Sequence, residues 1–422
     1  MTESYGLRTI NGQAAHELAR ELSFPRFPGS EGEARARRLL RERMEGLGYG
    51  MEEQPFRYDA RRTEILRLTS PLLPFAVLSG LAFLSARAPL LSASAPLLSK
   101  WAPLLCWIAA TALLILALSL LRWPWLETLF EGDRDSSANL IGRRPPDSFR
   151  EKPGHRPAVY FVAHVDSKSQ PLGIVARGLF FSALTLTSLA GWVLLGLRGF
   201  APGAVGGGAL AFMSFLLLIF GVPLSVNVNG NRSPGALDDA AGCSVLVELA
   251  RILRARDDLP YEPVFAFTGA EEAGMVGASR LAERIARETD PSRCFFVNFD
   301  GPGAGRGLLA LIHGFVRAEN RSPILRSTRG SAVARAAREA ASACGVPLHV
   351  VRLVPGAGVD GVPLGSKGLR GVTLLSASAG RAVRAVHRPA DRPENLDPDA
   401  LERAGRVALA LAERLVAPAS SA

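Results

Sequence analysis

The sequence predicts an α/β fold into which two hydrophobic helical hairpins are inserted. Val264 to Phe267 is an apolar run bounded by Pro263 and Gly269, as in a strand buried on both faces, and it stops at the paired acids Glu271 and Glu272. PAVYFVAHVDS and CFFVNFDG repeat the pattern, one ending on His164 and Asp166, the other on Asp300. Between these soluble stretches lie long runs without a charged residue, of the length that approaches a membrane span.

Composition narrows the class. Hydrophobic residues make up 48% of 422 while aromatics make up only 7%, so Leu, Ala and Val carry a mean hydropathy of +0.16 that is high for a purely soluble enzyme. The net charge of +10 is almost all arginine, with lysine only at Lys100, Lys152, Lys168 and Lys367. The arginines are interleaved with acids along the chain, which argues against a nucleic-acid-binding patch and for a compositional bias. Cys106, Cys243, Cys294 and Cys344 lie far apart without a CxxC pair, as expected of reduced thiols rather than a disulfide framework or a cysteine-zinc site. The opening residues lack the basic start and apolar core of a secretory signal.

In chain order, a helix is expected from Asn11 through HELAREL, and a second after Ser30, whose spacing to Glu33 is that of a capping box. Gly50 to Phe56 reads as a first strand. Leu68 to Ala86 is uncharged although Pro71, Pro74 and Ser79 interrupt it; Trp101 to Leu121 is uncharged with Trp101, Trp123 and Trp125 at its ends, the aromatic belt of a bilayer interface. SSANLIGRRP is a short strand, followed by the strand that ends at His164. Gly178 to Leu197 and Gly199 to Asn231 form a second uncharged pair joined by a turn around Phe200 to Gly203. GALDDAAG introduces a helix with Val245, Leu246, Leu249, Ile252 and Leu253 on one face; Gly277 to Glu288 and Pro398 to Val416 are further helices, the last with a frayed tail. VRLVPGAGVDGVPLGSKGLRGVTLL holds strand and loop. The expected organisation is a catalytic domain made of 1–67, 127–177 and 231–422, with transmembrane hairpins at 68–126 and 178–230. The alternative for the apolar pairs is buried core helices.

The chemistry-bearing residues converge on a metal. His164 with Asp166, Glu271 with Glu272, and Asp300 sit at strand ends; Asp238 sits where a Gly-Ala turn enters a helix; His387 lies in a Pro-flanked loop. Zinc takes imidazole and carboxylate ligands. A pair of ions needs about five ligands, one of them bridging. Two histidines and three carboxylates satisfy that number and leave one acid to move a proton. Taken singly, His164 reads equally as a core histidine and Asp238–Asp239 as a helix cap.

At RFPGS, AHVDS, GALDDAAG, TGAEEAGMVGAS, VNFDG and HRPAD the chain resembles metallopeptidase family 28, the di-zinc aminopeptidases and glutamate carboxypeptidase relatives. The resemblance runs from about Arg26 to Asp397 apart from the two insertions. It implies a mixed, mainly parallel sheet sandwiched by helices. It also implies two zinc ions, with Asp238 bridging, His164 and Asp300 on one ion and Glu272 and His387 on the other. Glu271 would be the base that activates a water between the ions, Asp166 the residue orienting His164, and Asp360 an acid of the substrate-side loop. The implied activity is that of a membrane-bound exopeptidase, most simply an aminopeptidase acting on peptides. The chain departs from the family pattern at Ala241, usually a small hydroxyl residue, and in the long insertion between AHVDS and GALDD.

Rival readings are a hydrolase of non-peptide amides, a cyclase of N-terminal glutamine, a non-catalytic membrane binding protein and a transporter. The complete ligand set argues against the last two, and acids are largely missing from the apolar segments. Each hairpin returns to its starting side. Near the spans that side carries Arg57, Arg61, Arg62, Arg67, Arg122, Arg134, Lys168, Arg177 and Arg232, against Arg87, Lys100 and Arg198 beyond. The expectation is an integral protein of a plasma or inner membrane with its catalytic domain in the cytoplasm. Both roots of the second hairpin lie close in sequence to Asp166 and Asp238, so the site is expected near the bilayer.

Overall fold

The computed structural model describes residues 9–87, 96–120, 132–145, 156–201, 203–313, 332–352, 358–378 and 380–417. Trp123, Trp125, the tip of the first hairpin, part of the VRLVPGAG stretch and the C-terminal tail lie outside them. The chain divides into two compact units, one of 1–58, 132–174 and 229–422, the other of 59–131 and 175–228.

The first unit begins with helices α1 (Gly12–Leu22) and α2 (Glu31–Gly46), each opened by a side-chain cap. Asn11 Oδ1 accepts from the Ala14 N–H at 3.0 Å and Ser30 Oγ from the Glu33 N–H at 3.3 Å. The strands are β1 (Gly50–Tyr58), β2 (Asp135–Arg143), β3 (Ala158–His164), β4 (Glu262–Thr268), β5 (Cys294–Phe299), β6 (Leu308–Ile312), β7 (Leu348–Val351) and β8 (Arg370–Ser376). They form one mixed sheet in the order β1-β2-β4-β3-β5-β8-β6-β7. β4, β3, β5 and β8 run parallel at its centre; β1 with β2, β2 with β4 and β8 with β6 are antiparallel. The central strands are buried along nearly their whole length, which is why they read as unbroken apolar runs.

Two apolar layers show that both faces are covered. Phe161, Phe265, Phe267, Val297 and Phe299 pack with α1 and with the helices named next. Those are α8 (Ala241–Arg254), α10 (Ala332–Ala343) and α13 (Pro398–Val416); α6 (Ile174–Phe200) and α7 (Gly207–Ser225) precede them in the chain. Tyr160, Val162, Val264 and Phe296 pack on the other side with α9 (Val276–Glu288) and α11 (Gly361–Ser366). A short α12 (Arg381–Ala385) leads to the His387 loop. β6 and α10 are elements that the sequence pattern does not announce.

The second unit holds α3 (Ala60–Thr69), α4 (Leu73–Arg87), α5 (Pro96–Leu120), all of α6 after Ile174, and α7. Its first helix starts ahead of the uncharged stretch at Leu68, because Asp59 caps it by accepting from the Arg62 N–H at 3.0 Å. Among the described residues, three helical spans are long and apolar enough to cross a membrane: Ala60–Ser85, Ile174–Phe200 and Gly207–Ser225. The expected fourth, in α5, is represented among the described residues by the shorter apolar stretch Trp101–Leu113. Several polar and aromatic contacts tie the unit's helices together. Trp192 Nε1 donates to Thr111 Oγ1 at 3.1 Å, Arg198 Nε donates to Ser85 Oγ at 3.0 Å, and Trp107 meets Trp192 at 5.5 Å between ring centroids. Leu179, Leu186, Leu189, Phe212 and Phe215 are exposed. Helices tied by polar contacts, with apolar side chains exposed, suit a hydrocarbon solvent.

Candidate metal centre

Three adjacent parallel strands, β4, β3 and β5, end together, so His164, the Gly269–Glu272 loop and Asp300 meet along one edge of the sheet. His164 is in register with Thr268 of β4. This is where open α/β sheets bind ligands. Asp238 comes from the turn Ala236–Ala240 ahead of α8, and His387 from the loop after α12.

The structure brings these side chains into two groups that share one residue. His164, Asp238 and Asp300 each offer a ligand atom, all within 4.8 Å of one another, and Asp238, Glu272 and His387 do the same. Asp238 Oδ1 stands 3.0 Å from His164 Nε2 and Oδ2 stands 2.9 Å from His387 Nε2. His387 Nε2 is 3.1 Å from Glu272 Oε1. All of these residues except Asp300, which is half-buried, are buried.

The supporting contacts are specific. The N–H groups of Gly269, Ala270, Glu271 and Glu272 donate in turn to Asn139 Oδ1 (3.1 Å), Glu33 Oε1 (3.2 Å), Asp166 Oδ1 (3.1 Å) and Asp166 Oδ2 (2.9 Å). Asp166 therefore spans the two glutamates with its carboxylate. It meets His164 chiefly through its carbonyl, 3.1 Å from Nδ1, while its nearer carboxylate oxygen is 3.9 Å away. Its carboxylate is turned instead toward the Glu271 and Glu272 N–H groups. Asp391 does for Asp238 what Asp166 does for the glutamates, accepting from the Leu237 and Asp238 N–H groups at 2.8 and 3.3 Å. Arg26 is fully buried; its guanidinium donates to the carbonyls of Val165 (2.7 Å), Pro234 (2.7 Å) and Gly235 (3.0 Å) and to that of Leu22. It thus ties the segment after His164 to the one before Asp238. Lys168 makes an ion pair with Glu272 Oε2. Ala270 and His387 hold φ near +52° and +61°, a left-handed conformation that such residues adopt only where the surroundings impose it.

Sequence reasoning passed over Arg26, Asn139, Asp391 and Lys168, and read Glu33 only as a cap. RFPGS and HRPAD contain two of these residues, but nothing in the motifs shows that their partners are backbone groups remote in the chain. Asp360 is buried and is hydrogen-bonded by Thr268 Oγ1.

The electrostatics are those of crowded acids. Burial, then repulsion from Glu272, pushes Glu271 well above the usual carboxylate range, against the pull of His164. Burial, then Asp238, moves Asp300 up to about 7. Burial acts the same way on Glu272, but Lys168 and then His387 outweigh it and bring Glu272 down to about 2. Asp238 is likewise held well below its ordinary value, its burial overcome by His164 and His387.

A divalent cation fits this donor set. His164 Nε2 and Glu272 Oε1 are buried and face other ligand atoms, Asp238 Oδ1 at 3.0 Å and His387 Nε2 at 3.1 Å, without a well-aligned hydrogen bond. Buried polar atoms of this kind are costly unless something binds them. Imidazole with carboxylate is zinc's ligand chemistry.

The profile of Peptidase family M28 matches residues 221–412. That stretch contains Asp238, Glu271, Glu272, Asp300 and His387, and begins after His164 and Asp166. Solved structures share the fold at low identity. A zinc aminopeptidase from Bacillus subtilis, BSAP, is 15% identical with a TM-score of 0.54, over 98% of this chain and 97% of that one. An aminopeptidase from Aneurinibacillus sp. strain AM-1 is 14% identical with a TM-score of 0.53, over 98% and 97%. A glutaminyl cyclase from Fimbriiglobus ruber is 14% identical with a TM-score of 0.52, over 96% and 95%. Residues 221–412 thus match the Peptidase family M28 profile, on a fold that the chain shares with solved zinc aminopeptidases.

Proposed function

We propose that this protein is a membrane-integral, zinc-dependent exopeptidase of the aminopeptidase type that holds two zinc ions. The observation that carries the reading is the pair of donor groups joined at Asp238, with one carboxylate oxygen toward His164 and the other toward His387. His164 and Asp300 would hold one ion, Glu272 and His387 the other, and Asp238 both. The M28 match and the likeness to proteins named as zinc aminopeptidases support it.

Bound there, the ions supply Lewis acidity to a water and to the scissile carbonyl. The chain's own residues do the rest. Glu271 belongs to neither ligand group, and its burial raises its proton affinity, so it can accept the proton of the attacking water and pass it to the leaving amine. Asp166 fixes the backbone of Glu271 and Glu272, so that the base and its ligand neighbour keep their separation. Asp391 and Arg26 hold the turn that presents Asp238.

The membrane part of the reading rests on the three apolar spans and the exposed apolar side chains of the second unit, and the charge count near the spans supports a cytoplasmic catalytic domain. A second reading, cyclisation of N-terminal glutamine, is favoured by the glutaminyl cyclases among the solved structures of the same fold. The test is purified full-length protein assayed on aminoacyl amides, N-blocked amides and glutaminyl peptides, before and after chelation. The proposal expects hydrolysis of free-amine substrates, loss on chelation and recovery with zinc. Ammonia release from glutaminyl peptides without hydrolysis of the others would favour the cyclase, and activity indifferent to chelation would refute both.

A further inference from the structure

The segment RAVRAVHRPADRP places Arg381, Arg384, Arg388 and Arg392 around the ligand His387. All are exposed, and among the described residues none of them makes an ion pair. Arg392 only donates Nε to the Pro389 carbonyl at 3.2 Å. The segment's own acids do not neutralise them. Asp391 is buried with its carboxylate on backbone N–H groups, which leaves Glu394 as the exposed acid beside Arg381 and Arg392, where they line an open hollow of about 560 Å³. Other arginines of this unit do pair with acids: Arg43 with Glu21 at 2.6 Å, Arg256 with Glu413 at 2.7 Å and Arg284 with Glu52 at 2.7 Å. What sets this segment apart is that four exposed arginines without an ion pair fall between Arg381 and Arg392.

Its packing says what it lies on. The Gln170 N–H donates to the His387 carbonyl at 2.8 Å. A Cβ added at Gly173 would stand 3.2 Å from Arg388 Cδ and 3.4 Å from the Arg384 carbonyl oxygen. Ile174 and Val383 pack against the same core. The arginine segment is thus laid on the residues that lead directly into α6, a helix long and apolar enough to span a bilayer. Guanidinium groups pair with phosphate oxygens bidentately, and basic clusters next to a span are drawn to an anionic leaflet over about a Debye length, ~10 Å.

We propose that Arg381, Arg384, Arg388 and Arg392 form a docking surface for anionic phospholipid head groups at the root of α6. An acidic peptide offers carboxylates to the same guanidiniums, but packing on the segment that enters α6 favours lipid. The inference rests on the membrane reading above and can fail separately from it.

The experiment compares the full chain in nanodiscs of phosphatidylcholine alone and of phosphatidylcholine mixed with phosphatidylglycerol, following backbone hydrogen exchange over residues 380–395. The expected result is several-fold slower exchange in the anionic discs. High salt should reverse it, and replacing all four arginines by glutamine should abolish it while zinc content stays unchanged. The wild-type comparison needs no variant, so a misfolded glutamine form leaves the result standing. Equal exchange in the two lipids overturns the proposal, and so does protection that appears only when a soluble acidic peptide is added to zwitterionic discs. If alkaline carbonate releases the chain from membranes into solution, the membrane reading itself has failed, an outcome distinct from lipid-independent exchange in a chain that stays embedded.

Discussion

Glu271 and Glu272 are neighbours in the chain with opposite surroundings: Glu272 is paired with Lys168 and His387, whereas Glu271 is crowded by other acids. Their substitutions should therefore separate. Glu271→Gln is expected to retain zinc while hydrolysis falls by about 10²–10⁴-fold, the usual worth of a positioned proton-transfer group. Glu272→Gln is expected to lower zinc content as well, read by elemental analysis beside the rate. Away from this site, His313 lies against Thr373, its Nε2 2.8 Å from Oγ1, and burial pushes it down to about 4. Because the unfolded chain binds that proton more tightly, His313 favours folding above its ordinary pKa of about 6.5 and loses this contribution as pH falls toward 4. In chelated protein, His313→Gln is expected to flatten the acid-side fall of the unfolding midpoint by up to about one proton. At this scale the sequence shows ligand types at strand ends but not what holds them. Arg26 could be quoted as part of a motif, yet its role lies in carbonyls that only the folded chain brings to it.

Among elements, the ones read most closely were those whose periodicity is enforced by burial. The last helix was expected at Pro398–Val416 and is found there, and the central strands follow their apolar runs. β6 has only five residues and α10 is an Ala-rich helix, so neither offers a long apolar period. The turn between β4 and α9 was legible as glycines around two acids, but the reason for Gly277 is steric. A Cβ there would come within 2.2 Å of the Gly269 carbonyl oxygen and 2.3 Å of Asn139 Oδ1. Gly277→Ala should thus push on the loop that Asn139, Glu33 and Asp166 hold, costing about 1–3 kcal/mol of stability or more. Denaturant midpoints would read it, and a variant as stable as the parent would show that the loop yields easily.

For the whole molecule, one interrupted chain builds two units of opposite solvent logic. The first buries its apolar residues in a sheet and helices, while the second exposes many of its own. The mean hydropathy of the sequence is the average of these two, which is why it looked high for a soluble enzyme without reaching that of a pure membrane protein. The uncharged runs revealed the insertions, but not where they begin. The helix that opens the first insertion carries Arg61, Arg62, Glu64 and Arg67, so charge alone could not mark its start. The central claim is that Asp238 joins two metal positions into one centre. The most direct measurement is metal content per chain, by elemental analysis of protein prepared without added metal, for the parent and for Asp238→Ala. The expected result is about two zinc ions per parent chain and a marked loss in the variant. One ion or none in the parent, unchanged in Asp238→Ala, would contradict it.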